Sequence, residues 1–413
     1  MPGVQLLSVD DARRRIIAMV EPAGVELVAI ADSGGRVLAR EVAASRDLPG
    51  FDNSSMDGFA VRTSDLVGAS PTAATRLRIS GTAPAGSAYA GGLEPGTSVR
   101  IMTGAPIPAG ADAVVELEET AADGDDVLVH LEAEPGRNVR RAGGDLHLGE
   151  PALGGGTVLG PAQAALFGAL GIAEIECLRR PVVALVATGD EVVGPGIEPG
   201  PGQLFDAITP ALTVSVLAAG GQPLIVRRAT DDIDDVLRAL REAAEADFVV
   251  TIGGVSVGDR DLVRPAVEEL GELDFWRVAM RPGKPLAVGR VMDRPFVGLP
   301  GNPVSALVGF EIFILPALLK MAGRPGWLRP SVVAELASPL PTPAGLRTFA
   351  RARLETRAGK APLAFPASGQ GSHQVRWLAQ SNALLDIPEE SETVPAGAPV
   401  TAVLVDHPLA PPW

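Results

Sequence analysis

The chain has 413 residues, of which 46% are hydrophobic and 21% are charged, a balance typical of folded globular proteins rather than disordered ones. Since a domain usually contains about 150 residues, this length predicts two to four folding units. The 35 basic and 50 acidic residues give a net charge of -15, which argues against binding to nucleic acid or an anionic membrane. An anionic substrate would therefore need a local cationic pocket.

Cysteine use and apolar stretches indicate a cytoplasmic protein. Cys177 is the only cysteine, which excludes an intrachain disulfide and a cysteine-based zinc site and is typical of a reducing compartment. The N-terminus lacks the basic start and apolar core of a secretory signal. The longest apolar stretch, residues 306–319, is interrupted by Glu311 and Pro316 and is shorter than the roughly 20 residues that span a bilayer. We therefore expect a core helix there and no membrane association.

The N-terminal half predicts one amphipathic helix followed by a β-rich region. Ser8 and Asp11 are spaced like a capping box, and apolar residues recur at helical spacing from Val9 to Met19, which predicts about three helical turns. Residues 47–149 consist of short apolar pieces broken by glycine and proline. This pattern predicts short strands, many turns and a small β-rich domain.

From residue 181 onward, runs of β-branched residues alternate with helical patterns, which predicts βαβ units on a parallel sheet covered by helices on both faces. Asp231 is placed to cap one of these helices, with Asp232 in its first turn. The GRPGW stretch after residue 320 is a predicted domain boundary. The short strand-like runs of residues 330–413 predict a β-barrel or sandwich.

Loops that follow the predicted parallel strands are the places to seek a site, because ligands bind beyond the carboxyl ends of such strands. Asp190 and Glu191 follow the run VVALVA and could ligate a divalent cation or position a water. A polar turn with an aspartate cap is the alternative. The spacing of the four histidines is wrong for an imidazole site, so Mg²⁺ on oxygen ligands is the metal we expect.

Two further loops could bind an anion. Residues 255–261 form a glycine-rich strand-to-helix loop whose backbone N–H groups could hold phosphate, although its spacing differs from GxGxxG. In residues 299–305, Asn302 can cap a helix and Pro303 suits its first position, and a helix N-terminus attracts anions. Capping alone would also explain these residue types.

Two other segments carry polar groups in unusual density. Residues 281–285, RPGKP, form a stiff turn that presents two cations and could supply the cationic pocket. A plain hairpin turn is the alternative. Residues 51–59 pack polar side chains between aromatic ones, which indicates either a functional loop or a turn-rich surface.

Taken in order, GFDNSSMDGFAVR, RIMTGAP, RRAGGD, ATGDE, TIGGVSVGDRD, RPGKP and GLPGNPVSA resemble the molybdopterin molybdenumtransferases, the MoeA family that includes the gephyrin E-domain. The resemblance covers nearly the whole chain. It implies an α/β plus β fold in an elongated, multidomain subunit that forms a homodimer. Its implied domains are a helical linking domain (residues 1–46 with 150–178), a β-rich domain (47–149), a molybdopterin-binding α/β domain (179–328) and a C-terminal barrel-like β-domain (329–413).

The resemblance also implies substrates, partners and site residues. Adenylylated molybdopterin and molybdate would be substrates, with Mg²⁺ as cofactor, and molybdopterin adenylyltransferase and molybdoenzyme maturation proteins would be partners. The implied catalytic residues are Asp57, Thr103, Asp145, Glu191, Asp261 and Lys284, of which Asp57, Glu191 and Asp261 would hold the metal. The implied binding residues are Asp190, Asp231, Gly253, Gly254, Ser256, Gly258, Arg281, Pro285, Pro300, Asn302, Pro303, Ser305, Arg351 and Ser372.

The chain departs from the family pattern at several positions. Ile252 replaces a serine, Ile208 replaces an asparagine, and Gly144 replaces a glutamate, so a hydroxyl, an amide and a carboxylate are lost. Arg277 and Arg281 stand where lysines are common, and a guanidinium is not equivalent to an ammonium. These losses keep two rival hypotheses open: a carrier that binds molybdopterin without catalysis, and a hydrolase that releases AMP without inserting metal.

Overall fold

The computed structural model describes residues 6–255 and 262–405, which divide into two compact units. The α/β–barrel unit comprises the chain up to Leu27, Gly35–Ala39 and everything from Glu176 onward. The β-rich unit comprises Val28–Gly34 and Arg40–Ile175.

The helices are α1 (Val9–Ala18), α2 (Pro161–Ala169), α3 (Ile208–Ala218), α4 (Ile233–Ala243), α5 (Val263–Leu270), α6 (Pro303–Gly309), α7 (Leu315–Met321) and α8 (Val375–Ala379). The strands are β1 (Val25–Ala29), β2 (Val42–Ala43), β3 (Asn53–Ser54), β4 (Gly58–Val61), β5 (Thr75–Ala83), β6 (Thr97–Ile101), β7 (Ala113–Glu116), β8 (Thr120–Asp123), β9 (Asp126–Val129), β10 (Val139–Arg140), β11 (Pro151–Leu153), β12 (Glu174–Leu178), β13 (Val182–Ala187), β14 (Val192–Val193), β15 (Leu204–Phe205), β16 (Gln222–Ile225), β17 (Phe248–Ile252), β18 (Gly271–Arg277), β19 (Met280–Arg281), β20 (Pro285–Val291), β21 (Arg294–Leu299), β22 (Ser331–Leu336), β23 (Leu340–Pro341), β24 (Arg347–Arg357), β25 (Lys360–Pro366), β26 (Ala383–Ile387), β27 (Thr393–Val394) and β28 (Pro399–Leu404).

The β-rich unit is built on a six-stranded sheet in the order β7-β4-β6-β5-β9-β8. One apolar cluster on this sheet centres on Phe59, Leu77 and Val127, and a second contains Val99 and Ile101. Alternate residues of a strand point to opposite faces, so both faces of this sheet are buried. The predicted β-rich character of residues 47–149 is confirmed.

The α/β sheet has the order β16-β13-β17-β21-β20-β18. The predicted parallel sheet is formed by β16, β13, β17 and β21, and β20 extends it by pairing antiparallel with both β21 and β18. Only Met292 and Asp293 separate β20 from β21, and both have positive φ, 46° and 66°. A two-residue turn of this kind joins antiparallel neighbours and leaves no room for a crossover helix.

Helices cover both faces of this sheet, as predicted. α1, α3, α6 and α7 pack on one face in the largest core cluster, and α4 and α5 pack on the other. Ser8 caps α1 by accepting a hydrogen bond from the backbone N of Asp11 at 3.1 Å, which confirms the predicted start. The cap predicted for α4 is off by one residue: Asp232, not Asp231, has extended backbone and accepts from the N of Asp235 at 3.1 Å.

The apolar stretch of residues 306–319 forms a core helix, as predicted. α6 and α7 are joined by a π-helical turn (Phe310–Ile314), and together they are long and apolar enough to cross a membrane by length and composition alone. However, 83% of this helix is buried inside the protein. Its apolar side chains therefore have protein partners.

The C-terminal strands close into a barrel, as the β-barrel alternative predicted. β24, β25, β22, β28 and β26 pair in that order, and β26 pairs back onto β24. Closure leaves these five strands without a free sheet edge.

Candidate active site

A pocket of about 580 Å³ lies at the carboxyl ends of β13, β17 and β21 in the α/β–barrel unit. This is the position at which open α/β sheets bind ligands. Its described lining includes nine of the predicted site residues: Glu191, Asp231, Gly253, Gly254, Pro285, Pro300, Asn302, Pro303 and the buried Ser305.

The loop after β13 brings the Glu191 carboxylate back over Gly189. Gly189 has φ 114°, and a Cβ added there would lie 2.5 Å from Oε2 of Glu191. Only glycine provides both the backbone conformation and the space that the carboxylate occupies. Asp190 is exposed and lies outside the described lining, and its carbonyl accepts a hydrogen bond from Nε2 of Gln203 at 3.1 Å.

The loop after β17 turns sharply through two glycines. Gly253 and Gly254 have φ 88° and 65°, and a Cβ on Gly254 would approach Val263 to 2.5 Å. Thr188 links this loop to β13, because its backbone N and its Oγ1 both donate to the carbonyl of Ile252, at 3.0 and 3.1 Å. The predicted site residues Ser256, Gly258 and Asp261 lie outside the described residues.

The loop after β21 leads into α6 with Asn302 at the cap position and Pro303 as the first helical residue, as predicted. The Asn302 side chain makes no capping hydrogen bond. Instead, the backbone N of Val304 donates to the carbonyl of Ser372 at 3.1 Å. Ser372, predicted to contact the ligand, therefore satisfies one of the N–H groups that this helix start could have offered to an anion.

The 281–285 turn connects β19 to β20. The Arg281–Pro282 peptide is cis, and Gly283 has φ 97°. Pro285 lines the pocket, whereas Lys284 is exposed and lies outside the described lining. Arg281 is also exposed and lines a separate small cavity beside the barrel strand β24.

Arg351 lies in the barrel and is 1% exposed. Its guanidinium donates to the carbonyls of Gly369, Gly371 and Gln374 at 2.8–3.2 Å. Burial lowers the pKa of this guanidinium. The geometry places Arg351 under the 369–374 loop rather than in the pocket lining, where it orders the backbone on either side of Ser372.

Sequence reasoning missed several residues that line the pocket. Asp206 Oδ1 accepts from the N of Ile208 and of Thr209, both at 2.9 Å, and so caps α3 while facing the pocket. His373 reaches the lining from the barrel, and Leu204 and Phe205 contribute apolar surface. The Asp206 cap follows a recognisable rule, since aspartate commonly bonds to N–H groups two and three residues ahead. No local signal points to His373, because its turn, between β25 and α8, lies far along the chain from the strand-end loops.

Asp235 holds the loop that carries Asp231. It is 6% exposed and accepts hydrogen bonds from the N and Oγ1 of Thr230, at 2.8 and 2.9 Å. The guanidinium groups of Arg227 and Arg238 lie 2.8 and 2.7 Å from its Oδ1. These charged donors hold the pKa of Asp235 far below its ordinary value. Asp231, one residue after Thr230, is exposed at the pocket rim.

The remaining predicted residues belong to the β-rich unit. Asp57 and Thr103 are both exposed and hydrogen-bonded to one another. Asp145 is exposed, and its backbone N donates to the carbonyl of Leu48 at 2.9 Å. Neighbouring Asp52 accepts from the N of Ala142 and from Arg141, which lowers the pKa of its carboxyl.

Within residues 6–255 and 262–405, no three His, Cys, Asp or Glu side chains converge as a metal site. Mg²⁺ does not require such a cage, since it usually binds one or two carboxylates together with substrate phosphates and waters. Glu191, exposed at the pocket, is a suitable single carboxylate. The described residues thus fit a magnesium ion that arrives with a phosphate-bearing substrate.

Three family regions match consecutive parts of the chain. Residues 7–171 match the MoeA N-terminal region (domains I and II), residues 184–320 match a probable molybdopterin-binding domain, and residues 333–405 match the MoeA C-terminal region (domain IV). A molybdopterin molybdenumtransferase 2 of Mycobacterium tuberculosis is 41% identical over 94% of this chain and 97% of its own length. The chain belongs to the molybdopterin molybdenumtransferase (MoeA) family.

Other relatives agree with this assignment. The molybdopterin molybdenumtransferase of Bacillus subtilis is 34% identical over 98% of this chain and 96% of its own. The crystal structure of a molybdopterin biosynthesis MoeA protein from Pyrococcus horikoshii superposes with a TM-score of 0.84 at 32% identity, covering 97% of this chain and 99% of that one. The MoeA multidomain fold, with its molybdopterin-binding-type α/β domain and C-terminal barrel, is therefore confirmed. The predicted domain boundaries remain a prediction.

Proposed function

We propose that this protein is a molybdopterin molybdenumtransferase that inserts molybdenum from molybdate into adenylylated molybdopterin and releases AMP. The observation that carries the proposal is the pocket at the strand ends, where an exposed glutamate and aspartate stand beside tight glycine turns. Such turns let a large anionic substrate approach the backbone closely. The names and the extent of the similar proteins support the same activity.

In this proposal Glu191 would hold Mg²⁺ together with the substrate phosphates, and Asp261 would be a second ligand. The ion would offset negative charge and polarise the phosphorus that water attacks. The carboxylates of Asp231 and Glu191 orient the groups that react at the pocket mouth. Cleavage of the phosphoanhydride bond by water would release AMP. The two dithiolene thiols would then replace one oxygen of molybdate, which leaves as water with their two protons.

The 281–285 turn is our proposed molybdate-binding element. A chain with a net charge of -15 repels a dianion at long range, so fixed local cations must attract it. Lys284 stands directly before the pocket-lining Pro285. Since neither reacting atom belongs to the protein, placement of the two substrates would contribute much of the acceleration.

We propose that two copies of the chain form a homodimer in which Asp57 and Thr103 of one subunit complete the cleft of the other. These two residues belong to the β-rich unit, whereas the pocket belongs to the α/β–barrel unit. Sedimentation at micromolar concentration should show two chains. A stable, fully active monomer would overturn this part of the proposal.

The cellular setting follows from the chemistry. An adenylyltransferase acting on molybdopterin must supply the substrate, and molybdoenzyme maturation proteins receive the product. We place the reaction in the cytoplasm, which suits a chain whose single cysteine, Cys177, is buried and whose thiol pKa is raised by that burial.

The decisive experiment follows AMP and active cofactor together after purified protein is incubated with adenylylated molybdopterin, Mg²⁺ and molybdate. Both products are expected. AMP alone would make the protein a hydrolase, and tight binding with neither product would make it a carrier. Glu191→Gln should raise the Mg²⁺ concentration needed for both products, whereas Glu198→Gln, an exposed position outside the described lining, should not.

A further inference from the structure

An apolar ledge borders the pocket beside its polar groups. It consists of Val192, Leu204 and Phe205, all of which line the pocket. Leu204 is 55% exposed and Phe205 is 49% exposed. Among the phenylalanines whose side chains the structure describes, seven are buried in the core, and Phe51 is the one other that is exposed. A solvent-exposed aromatic side chain in the wall of a concave pocket is typical of a residue that contacts a ligand.

Hydrogen bonds fix the backbone on both sides of Phe205. β15 pairs with β14, so that the N of Leu204 donates to the carbonyl of Glu191 and the N of Asp206 donates to that of Val193, both at 2.8 Å. The Asp206 carboxylate is in turn held by the first N–H groups of α3. The backbone under the ring is therefore ordered before a ligand binds, which lowers the ordering cost of binding.

The ledge and the polar lining together suit a substrate with two chemically different ends. Glu191 and the glycine turns suit an anionic, cation-bound group. An exposed phenylalanine offers no hydrogen bond, but its face binds flat aromatic rings by stacking. The chain also places Ala207 and Ile208 in the lining next to the ledge, so apolar contact continues past Asp206.

We propose that Phe205 is a specificity-determining residue that stacks on the bicyclic heteroaromatic ring of the substrate, adenine or pterin. The inference rests on the proposed function, since the substrate of that reaction carries both rings. Stacking does not distinguish one flat ring from another, because each has a π face, so separate adenine and pterin probes are needed to decide which ring lies on Phe205.

The test measures binding of three probes by calorimetry to the full-length protein and to two variants, Phe205→Leu and Phe205→Tyr. The probes are AMP, 6-hydroxymethylpterin, and ribose 5-phosphate as a sugar phosphate without an aromatic base. Phe205→Leu keeps an apolar side chain but removes the π face, and should weaken the stacked ring about tenfold. Phe205→Tyr keeps the face and should bind within about twofold of the parent.

Weakening of AMP alone assigns adenine, weakening of the pterin alone assigns pterin, and weakening of both shows that the ledge accepts either ring. Three results would overturn the proposal: unchanged affinity for both rings in Phe205→Leu, an equal loss for ribose 5-phosphate, or an equal loss in Phe205→Tyr. A parent protein that binds neither ring would overturn it too. If the parent still forms active cofactor in any of these cases, the proposed function stands and only the role of Phe205 falls.

Discussion

Thr103 donates two hydrogen bonds to the same carboxylate oxygen of Asp57, from its backbone N at 2.7 Å and from its Oγ1 at 2.8 Å. The two residues are 46 positions apart in the sequence, and paired strands bring them together. Asp57 directly precedes β4, Thr103 follows β6 closely, and Gly58 pairs with Ile101. Because both bonds favour the charged carboxylate, they hold the pKa of Asp57 below its ordinary value of 3.8.

Thr103→Val should raise the pKa of Asp57 toward its ordinary value. Valine keeps the backbone donor and the shape of the side chain but removes the hydroxyl donor. Since the folded pKa is the lowered one, the hydrogen bonds stabilise the protein above pH 3.8, and this contribution is lost as the pH falls through the folded pKa. NMR titration of the Asp57 carboxyl carbon measures the change. Thr103→Ser should titrate like the parent, and an unchanged titration in Thr103→Val would contradict the assignment.

Gly189→Ala should disturb the Glu191 carboxylate, because the new Cβ would come within 2.5 Å of Oε2. The matched control is Gly196→Ala in the same loop, where φ is 93° and an added Cβ meets no atom within 4 Å. Both changes place alanine at positive φ and should cost about 1–2 kcal/mol of folding free energy. Only Gly189→Ala should shift the Mg²⁺ titration of activity. Equal shifts in the two variants would mean that backbone strain, not the carboxylate, sets the Mg²⁺ requirement.

Asp235→Asn should lower the free energy of unfolding by about 2 kcal/mol at neutral pH, because the amide replaces a carboxylate that accepts from two arginines and from Thr230. The pKa of Asp235 lies far below 3.8 in the folded protein. The stability that the carboxylate contributes is therefore complete above pH 3.8 and is lost as the pH falls below that value. Urea unfolding at several pH values should show the parent and variant converging in acid. Asp234→Asn, an exposed neighbour on the same helix, should leave the stability unchanged.

Arg351→Met should destabilise the barrel by about 3 kcal/mol or more, because it leaves the carbonyls of Gly369, Gly371 and Gln374 without their donor. The comparison variant is Arg353→Met, two residues along β24, where the side chain is exposed and pairs with Glu355. That pair should contribute less than 1 kcal/mol. Denaturant unfolding of both variants checks the prediction. Similar stability in the two would show that the buried guanidinium does not order the 369–374 loop.

The sequence predicted most of the fold because each element depends on local periodicity. The α1 start and the parallel strands ending near Thr188 and Ile252 follow from patterns within a few residues. Local patterns left a barrel and a sandwich as alternatives for the C-terminal strands, because closure depends on the distant pairing of β24 with β26. The reversed direction of β20 was missed, since Met292 and Asp293 are not the residues usually found in a two-residue hairpin. The cap of α4 was predicted one residue too early because Asp231 and Asp232 are adjacent and either side chain could cap the helix. Only the backbone geometry shows that Asp232 does so.

Prediction of the site succeeded where the pocket is formed by strand-end loops and failed where it depends on distant segments. Glu191, Gly253 and Asn302 follow strands of one sheet, so topology alone places them at one edge. Phe205 was overlooked because an apolar residue in so short a strand gives no signal of its exposure. Nothing in the sequence near Arg351 reveals that its guanidinium is turned toward carbonyls inside the barrel.

Lys284→Gln should raise the molybdate concentration needed for half-maximal activity about tenfold or more, with little change in the affinity for adenylylated molybdopterin. Lys284 lies between Gly283, where an added Cβ would be 3.5 Å from the carbonyl of Ser305, and Pro285, which lines the pocket. The flanking prolines restrict the turn before molybdate binds, so a lysine held here loses less entropy than a free one. Lys284 is exposed, and its ammonium would supply the local cation that a dianion needs in a chain of net charge -15.

The experiment compares Lys284→Gln with Lys360→Gln, which removes the same charge from an exposed position at the start of β25. If overall charge set the molybdate requirement, the two variants would behave alike. Arg281→Lys keeps the charge at the first residue of the turn and should be tolerated, since Arg281 lines a different cavity. Activity is followed against molybdate concentration, and pterin affinity is measured separately by calorimetry. Should Lys284→Gln lose pterin affinity while keeping its molybdate dependence, the turn would belong to the pterin phosphate site, because a cation that binds phosphate affects the substrate that carries it.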